Sequence, residues 1–323
     1  MKRFSRSALV GLAALALSPT ATAEPTFWQR VANRRATVEA KLLASVERTL
    51  DAGWRANLEE FGLDREFARA AVVMVELKGI TEPSDPGLAC VFAQALVEAD
   101  IGREADARRL LERSIAKLPP GTRAATAWNA LAVALGRLDD PKAEYRAYTR
   151  VIELTWDADI RAVSYFHRGN VAMRERDLAG AKADYEQAVI GAREPSLVAR
   201  ARYGLAVAEE RLGDLPQAYA ALDRALVVKL PVPPFPVDDP LDLPTTIFVP
   251  SYEESYVRAL RAMAIGRRTT DQRERNDAFE TAVAEWDIYL ARSPEDEPFR
   301  ENARAHRARA DREIERPPAP RRR

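Results

Sequence analysis

A step of 37 residues organises the middle of the chain and limits what it can fold into. Trp128 and Tyr165 stand 37 apart, and Tyr148, Tyr185 and Leu222 are linked by the same step. So are Ala95, Ala132, Gly169 and Ala206, a column of small side chains, and Ile115, Ile152, Val189 and Leu226, a column of aliphatic ones. Several columns in one register mark an internal repeat, with four units beginning near Leu88, Ala125, Ala162 and Ala199. Within a unit, Trp128, Leu131, Ala132 and Leu135 step i, i+3, i+4, i+7 and paint one helix face. Leu178, Ala181, Tyr185, Ala188 and Val189 paint a second helix, and Leu215, Ala218, Leu222, Ala225 and Leu226 repeat it. Breaks such as Arg211-Leu212-Gly213-Asp214 leave room only for a tight turn, so each unit is an αα-hairpin. A lone hairpin cannot bury both of its faces, and stacking on neighbours completes the core.

The run YFHRGNVAMRERDLAGAKADYEQAV, with Tyr165, Gly169, Ala181, Tyr185 and Ala188, resembles the signature columns of the tetratricopeptide repeat family. Gly213, Ala218 and Ala225 match in the next unit, and Gly102, Ala107 and Pro119 in the first. The resemblance implies an all-α, right-handed solenoid of antiparallel helix hairpins, in an exported bacterial member of the family. The period exceeds the 34 residues usual there, Glu144 stands where alanine is usual, and Gln94 and Arg168 stand where a large apolar residue is.

Outside the repeats the chain divides as follows. Residues 24–87 form an N-terminal helical capping region, with helices expected over Thr26 to Thr49 and Asp64 to Lys78, Asp64 as N-cap and Gly79 as a stop. Trp28 and Trp54 are read as core or cap side chains. Residues 88–228 hold the four repeats. Residues 229–251 are an insertion whose prolines forbid continuous helix; it could fold across the groove, present Phe235, Ile247 and Phe248 to another protein, or pack on the last hairpins. Residues 252–316 return as a degenerate hairpin, with Tyr256, Ala259, Leu260 and Met263 on one helix and Trp286, Tyr289 and Leu290 on the other. Ten extra residues are expected between those two helices, around Gly266 to Arg275. A capping helix follows from about Asp296 to Glu315, and 317–323 is a basic, disordered tail.

Residues 1–23 carry Lys2, Arg3 and Arg6, an apolar run from Ala8 to Leu17, and a small-residue end, the layout of a signal peptide cleaved after Ala23. The run is shorter than the ~20 residues of a span, which separates this reading from an uncleaved anchor. A periplasmic or otherwise exported protein is expected, without a membrane span after cleavage. Lys+Arg and Asp+Glu number 49 each, so there is no basic field of the sort nucleic-acid binders use. One cysteine and two histidines exclude a disulfide framework and multi-cysteine zinc sites. Cys90, in the run Leu88-Ala89-Cys90-Val91-Phe92, is expected to be buried, and His167 to lie at the surface or in the groove. No phosphate loop, nucleophile elbow, HExxH or calcium loop is present. No catalytic residue, metal or cofactor is assigned, and enzymatic activity is not expected.

The resemblance implies a groove lined by the first helix of each hairpin. Carried residue by residue, that lining is Asn129, Val133 and Arg137, then Phe166, Asn170 and Arg174, then Tyr203, Val207 and Arg211, with Arg261 further on. Arg137, Arg174 and Arg211 stand one repeat apart. Two readings stand open for them: a guanidinium ladder holding a peptide with acidic groups or a free carboxyl terminus, or salt bridges to neighbouring acids. The expected function is a non-catalytic protein-protein interaction scaffold of the periplasm or cell envelope. The alternative is an accessory module for a cell-wall or outer-membrane polymer, or a subunit of an envelope or secretion complex.

Overall fold

A computed structural model describes residues 27–57, 63–80, 82–228, 241 and 250–314. The expected signal peptide at 1–23, the expected tail at 317–323, most of the 229–251 insertion with Phe235, Ile247 and Phe248, and the side chains of Trp28 and Trp54 lie outside the described residues.

The described residues are all-helical, without strands. In chain order the helices are α1 (Phe27–Asn57), α2 (Leu63–Glu76), α3 (Pro86–Glu98), α4 (Glu104–Ser114), α5 (Thr122–Arg137), α6 (Pro141–Leu154), α7 (Ala158–Arg174), α8 (Leu178–Gly191), α9 (Pro195–Arg211), α10 (Leu215–Leu226), α11 (Glu253–Arg268), α12 (Gln272–Arg292) and α13 (Arg300–Glu313), with a short 3₁₀ turn after α4. Each helix packs on the next in sequence; α1, α3 and α5 also touch in order, as do α7 and α9. Extensive helix contacts never reach beyond the second neighbour. The apolar core follows the same order, from Leu42 through Val171 and onward from Ala172 to Ala310, with Tyr145 packed against both stretches.

Hairpin turns repeat as faithfully as the helices do. At the end of α5, α7 and α9 the chain enters the left-handed region at Asp139 (φ 55°), Arg176 (φ 64°) and Gly213 (φ 86°), and Gly102 (φ 73°) follows α3. The next residue sends its N–H back into the finished helix: Asp140 to Leu135 O, Asp177 to Ala172 O and Asp214 to Glu209 O. Those bonds satisfy carbonyls that a helix end leaves open. The same three aspartates then cap the second helix, their carboxylates accepting from the backbone N–H of Ala143, Gly180 and Gln217. Three residues thus close one helix and start its partner.

The column of small residues does the work that periodicity assigns to it. Ala95, Ala132 and Ala206 are fully buried. At the fourth member, a side chain on Gly169 would put its Cβ 3.0 Å from the Tyr185 ring, and one on Gly204 would reach 2.6 Å from it. Tyr185, itself buried, therefore fills a slot that two glycines leave open between α7 and α9.

Several boundaries differ from those the sequence predicts. α1 runs on to Asn57. α2 begins at Leu63, so Asp64 lies inside its first turn rather than ahead of it. The ten extra residues between α11 and α12 form no loop: α11 continues to Arg268, α12 starts at Gln272 with 21 residues, and the turn is Thr269 to Asp271. Asp271 explains the start, because its carboxylate accepts from Arg273 N and Glu274 N. α13 begins only at Arg300, after two turns closed by Glu297 N onto Pro294 O and Arg300 N onto Glu297 O. α2 ends at Glu76 rather than Lys78, and Gly79, with φ 67°, closes the turn that follows it.

A buried carboxylate holds the amino-terminal end, and an apolar contact ties in the insertion near the other. Glu39 on α1 is fully buried and accepts from Arg35 Nε (2.8 Å), Ser84 N (3.1 Å), Ser84 Oγ (2.8 Å) and Asp85 N (2.7 Å), while Asp85 caps α3. Burial raises the Glu39 carboxyl, but those donors outweigh it and hold the group below its ordinary value. Leu241, within the proline-rich insertion, is buried in the same core as α10 and α11, so at that point the insertion packs on the last hairpins.

Candidate partner-binding face

The first helices α5, α7 and α9 carry the residues that the repeat register places in the groove, and the structure treats them unequally. Asn129 and Phe166 are half-buried, and Asn170 is exposed, its Oδ1 accepting from Tyr185 Oη at 2.8 Å. Val133 packs against the core at the surface of α5. Tyr203 and Val207 on α9 are buried in the core and present nothing to solvent. Arg261 is half-buried on α11.

The three arginines in register do not form one ladder. Arg137 Nη1 donates to Val97 O (2.7 Å) and lies 3.3 Å from both Glu104 and Asp100. Arg174 pairs with Glu144 on the preceding helix. Arg211, with a side chain only 3% exposed, pairs forward with Glu253 on α11 (2.5 Å) and lies over the rings of Phe299 and Tyr256. The sequence explains the divergence, since the position of Glu144 is alanine in the flanking units, Ala107 and Ala181. Only Arg174 finds a carboxylate there, and the other two turn elsewhere. Glu144 itself is accommodated because Gly136 lies against it; a Cβ on Gly136 would stand 2.8 Å from its carboxyl carbon. Burial raises the Glu144 carboxyl, with Arg174 opposing.

Arg168, at a position usually apolar, is also satisfied internally. Its guanidinium forks onto Asp184 (2.8 and 2.6 Å), donates to Thr149, and lies over the Tyr145 and Tyr165 rings.

Arg200 on α9 is different. Its Cζ sits 5.4 Å from the Phe166 ring centroid, its buried Nε has no hydrogen-bond partner, and no carboxylate pairs with it among the described residues. The acid that acts on it, Glu194, is occupied at the start of α9 by the N–H groups of Ser196 (2.9 Å) and Leu197 (2.6 Å). Burial lowers the Arg200 pKa, with Glu194 opposing. Next to Phe166, the His167 ring stacks on Tyr148 at 5.5 Å and 14°. The sequence places this histidine at the surface or in the groove; it is half-buried, and burial, helped by Arg200, pushes its pKa down to about 4, so it is neutral at pH 7. Sequence columns miss Arg200 because the equivalent positions are Thr126 and Val163, and no column of cations exists to be found.

A hollow of about 310 Å³ opens among α1, α3 and α5, lined by Glu47, Asp51, Gln94, Thr122, Arg123 and Thr126. Arg123 reaches across it to Glu47 at 2.7 Å. Cys90 lies at its base, buried as expected, with its thiol pushed up to about 12, first by burial and then by Asp85. Among the described residues no group of three or more His, Cys, Asp or Glu side chains is placed to hold a metal ion, and no helix is long and apolar enough to cross a membrane.

Fold and site together define an all-helical protein built from successive hairpins, with a mixed polar and aromatic face on its first helices. Protein-family models give no match to the chain, and neither do curated proteins.

Proposed function

We propose that the chain is a partner-binding solenoid of the tetratricopeptide-repeat kind, right-handed, exported to the periplasm or cell envelope, and non-catalytic. On this reading it holds an extended segment of another protein, bearing a carboxylate, against the first-helix face of α7 and α9. The observation that carries the reading is Arg200, a cation stacked on Phe166 without an acid of its own, beside exposed Asn170. A ligand carboxylate would complete the charge pairing that Asp184 supplies to Arg168 and Glu144 to Arg174, and Phe166 would give it a rigid apolar neighbour.

The test is fluorescence anisotropy with a labelled acidic peptide ending in a free carboxylate, beside its amide and a neutral peptide. Arg200→Gln is expected to weaken binding by about tenfold or more, the scale of one hydrogen bond to a charged group. Arg137→Gln is expected to change it less than threefold, at equal helicity. Loss of binding in neither variant, or equal binding of the neutral peptide, refutes the assignment. Export is tested separately, by sequencing the amino terminus of the protein recovered outside the cytoplasm, with Glu24 expected first.

A further inference from the structure

The first three turns of α1 stand apart from the rest of the molecule. Residues 29–38 are all exposed, although they belong to a 31-residue helix whose later turns bury Glu39, Leu42, Val46 and Leu50. Arg30, Arg34 and Arg35 fall in this stretch, and no acidic residue occurs in it before Glu39. Arg35 is committed to Glu39 and to Glu82 O. Arg30 and Arg34 have no carboxylate partner among the described residues, and neither does Lys78, whereas Arg103, Arg137, Arg168, Arg174 and Arg211 are each held by an acid. Apolar side chains alternate with these cations. Val31 (45% exposed) and Val38 (39% exposed) lie at i and i+7 with Arg34 between them, on one helix face. That face lines an open hollow of about 820 Å³ with Arg35, Lys78, Gly79, Ile80 and Glu82, and Leu77 beside it is 80% exposed.

We propose that this stretch of α1, with Leu77 and Lys78, is an interfacial patch for a membrane surface rich in anionic phospholipid. A helix that carries unpaired cations around an apolar row is suited to such a surface: the valines enter the acyl boundary while the guanidinium groups extend to the phosphates. Charge complementarity points the same way, since the one acid lining the hollow, Glu82, is engaged by Arg109 and Arg113. The chain also supplies proximity. The apolar run Ala8 to Leu17 precedes Phe27 by nine residues, a length that spans at most about 30 Å when extended. Whenever that run is in a bilayer, the patch is held near the surface. This proposal is independent of the carboxylate site on α7 and α9.

The test is flotation of the full chain with phosphatidylcholine vesicles, with and without phosphatidylglycerol. Each arginine or lysine near an anionic surface contributes a factor of about five in partitioning. Wild type is therefore expected to partition at least about tenfold more strongly with the anionic vesicles, less so at raised salt. The triple variant Arg30→Glu, Arg34→Glu, Lys78→Glu should lose that preference while keeping its circular dichroism spectrum. Val31→Ser, Val38→Ser should weaken partitioning without removing the headgroup preference. If binding ignores headgroup charge and survives the triple variant, residues 8–17 carry it and the proposal fails. It also fails if wild type does not float, or if oligoglutamate binds the patch with equal loss in the triple variant but no effect of the valine changes.

Discussion

Glu210 and His306 lie 96 residues apart in the chain and 2.8 Å apart in the fold. The Glu210 carboxylate, at the end of α9, also accepts from Tyr256 Oη on α11 and from Asn302 Nδ2 on α13 (2.9 Å). One buried acid thus ties three helices across the proline-rich insertion. Around it Trp286 stacks on His306 at 5.4 Å, and Tyr256 meets Trp286 edge-on at 4.8 Å. The contact between α10 and α11 is slight, and this polar node, with the Arg211 and Glu253 pair beside it, joins the shared apolar core in fastening the last three helices to the repeats.

Glu210→Ala should cost about 2–4 kcal/mol in chemical denaturation, since buried Tyr256 and His306 and half-buried Asn302 lose their acceptor at once. Hydrogen exchange should speed up first in α13. The pH dependence has a definite sign. Burial raises the Glu210 carboxyl, but His306, Tyr256 and Asn302 outweigh it and hold the group below its ordinary 4.5. Its charged form therefore stabilises the fold fully above 4.5, and that contribution disappears as pH falls through the lower folded value. The stability gap between wild type and Glu210→Gln should narrow over that window. A gap independent of pH would refute the account.

Gly136 and Glu144 make a second prediction, conditional on the partner. Alanine is favoured over glycine inside a helix by about 1 kcal/mol. At position 136, however, its Cβ would stand 2.8 Å from the Glu144 carboxyl carbon and oblige the Glu144–Arg174 pair to move. Gly136→Ala should then destabilise the wild type by about 1–2 kcal/mol. In a Glu144→Ala background the same change should stabilise, because the clash is gone and the propensity remains. Thermal melts of the four proteins in this cycle would show the reversal of sign or its absence.

How much of this could be read beforehand depends on whether a feature repeats. The small column, Tyr185 and the hairpin turns recur every 37 residues, so the sequence exposes them. The Asp140, Asp177 and Asp214 column was equally periodic, but aspartate at a turn looks like ordinary solvated surface until its capping bond is seen. Features that occur once leave no such trace. Arg200 falls where other units have threonine and valine; Glu39 caps backbone 45 residues away; Glu210 and His306 meet only after two hairpins and an insertion have been placed. Arg137, Arg174 and Arg211 show the converse, being periodic in sequence but divergent in partner, because the acid facing Arg174 has no counterpart in the units beside it.

The turn column gives a third prediction with opposite signs at neighbouring residues. Asp177→Ala removes a carboxylate that accepts from Gly180 N and should cost about 1 kcal/mol. Arg176, one residue earlier, occupies φ 64° where the next unit has Gly213. Left-handed backbone costs an L-residue about 1 kcal/mol, so Arg176→Gly should stabilise by up to that amount, while Gly213→Ala should lose a similar amount. The contact of Arg176 with Glu297 is long, 3.9 Å, and its arginine is exposed, so it adds little to the wild type. Equal melting temperatures for Arg176→Gly and wild type would show that this turn is not strained.

The Tyr185 slot permits the sharpest test of how the repeats stack. Gly204 belongs to α9 and Tyr185 to α8, and a Cβ at 204 would stand 2.6 Å from Cζ of the ring. Neither neighbour can yield cheaply, because the ring is also held between Phe166 and Gly169 and its hydroxyl is bonded to Asn170. Gly204→Ala should therefore destabilise by about 2 kcal/mol or more despite its better helix propensity. Tyr185→Phe, which keeps the ring and removes only the bond to Asn170, should cost about 0.5–1.5 kcal/mol. Combining Gly204→Ala with Tyr185→Leu should recover part of the loss, because the shorter side chain vacates the place the new methyl needs. If the double variant is no more stable than the sum of its parts predicts, the two residues are not coupled, and α8 and α9 do not meet through this slot.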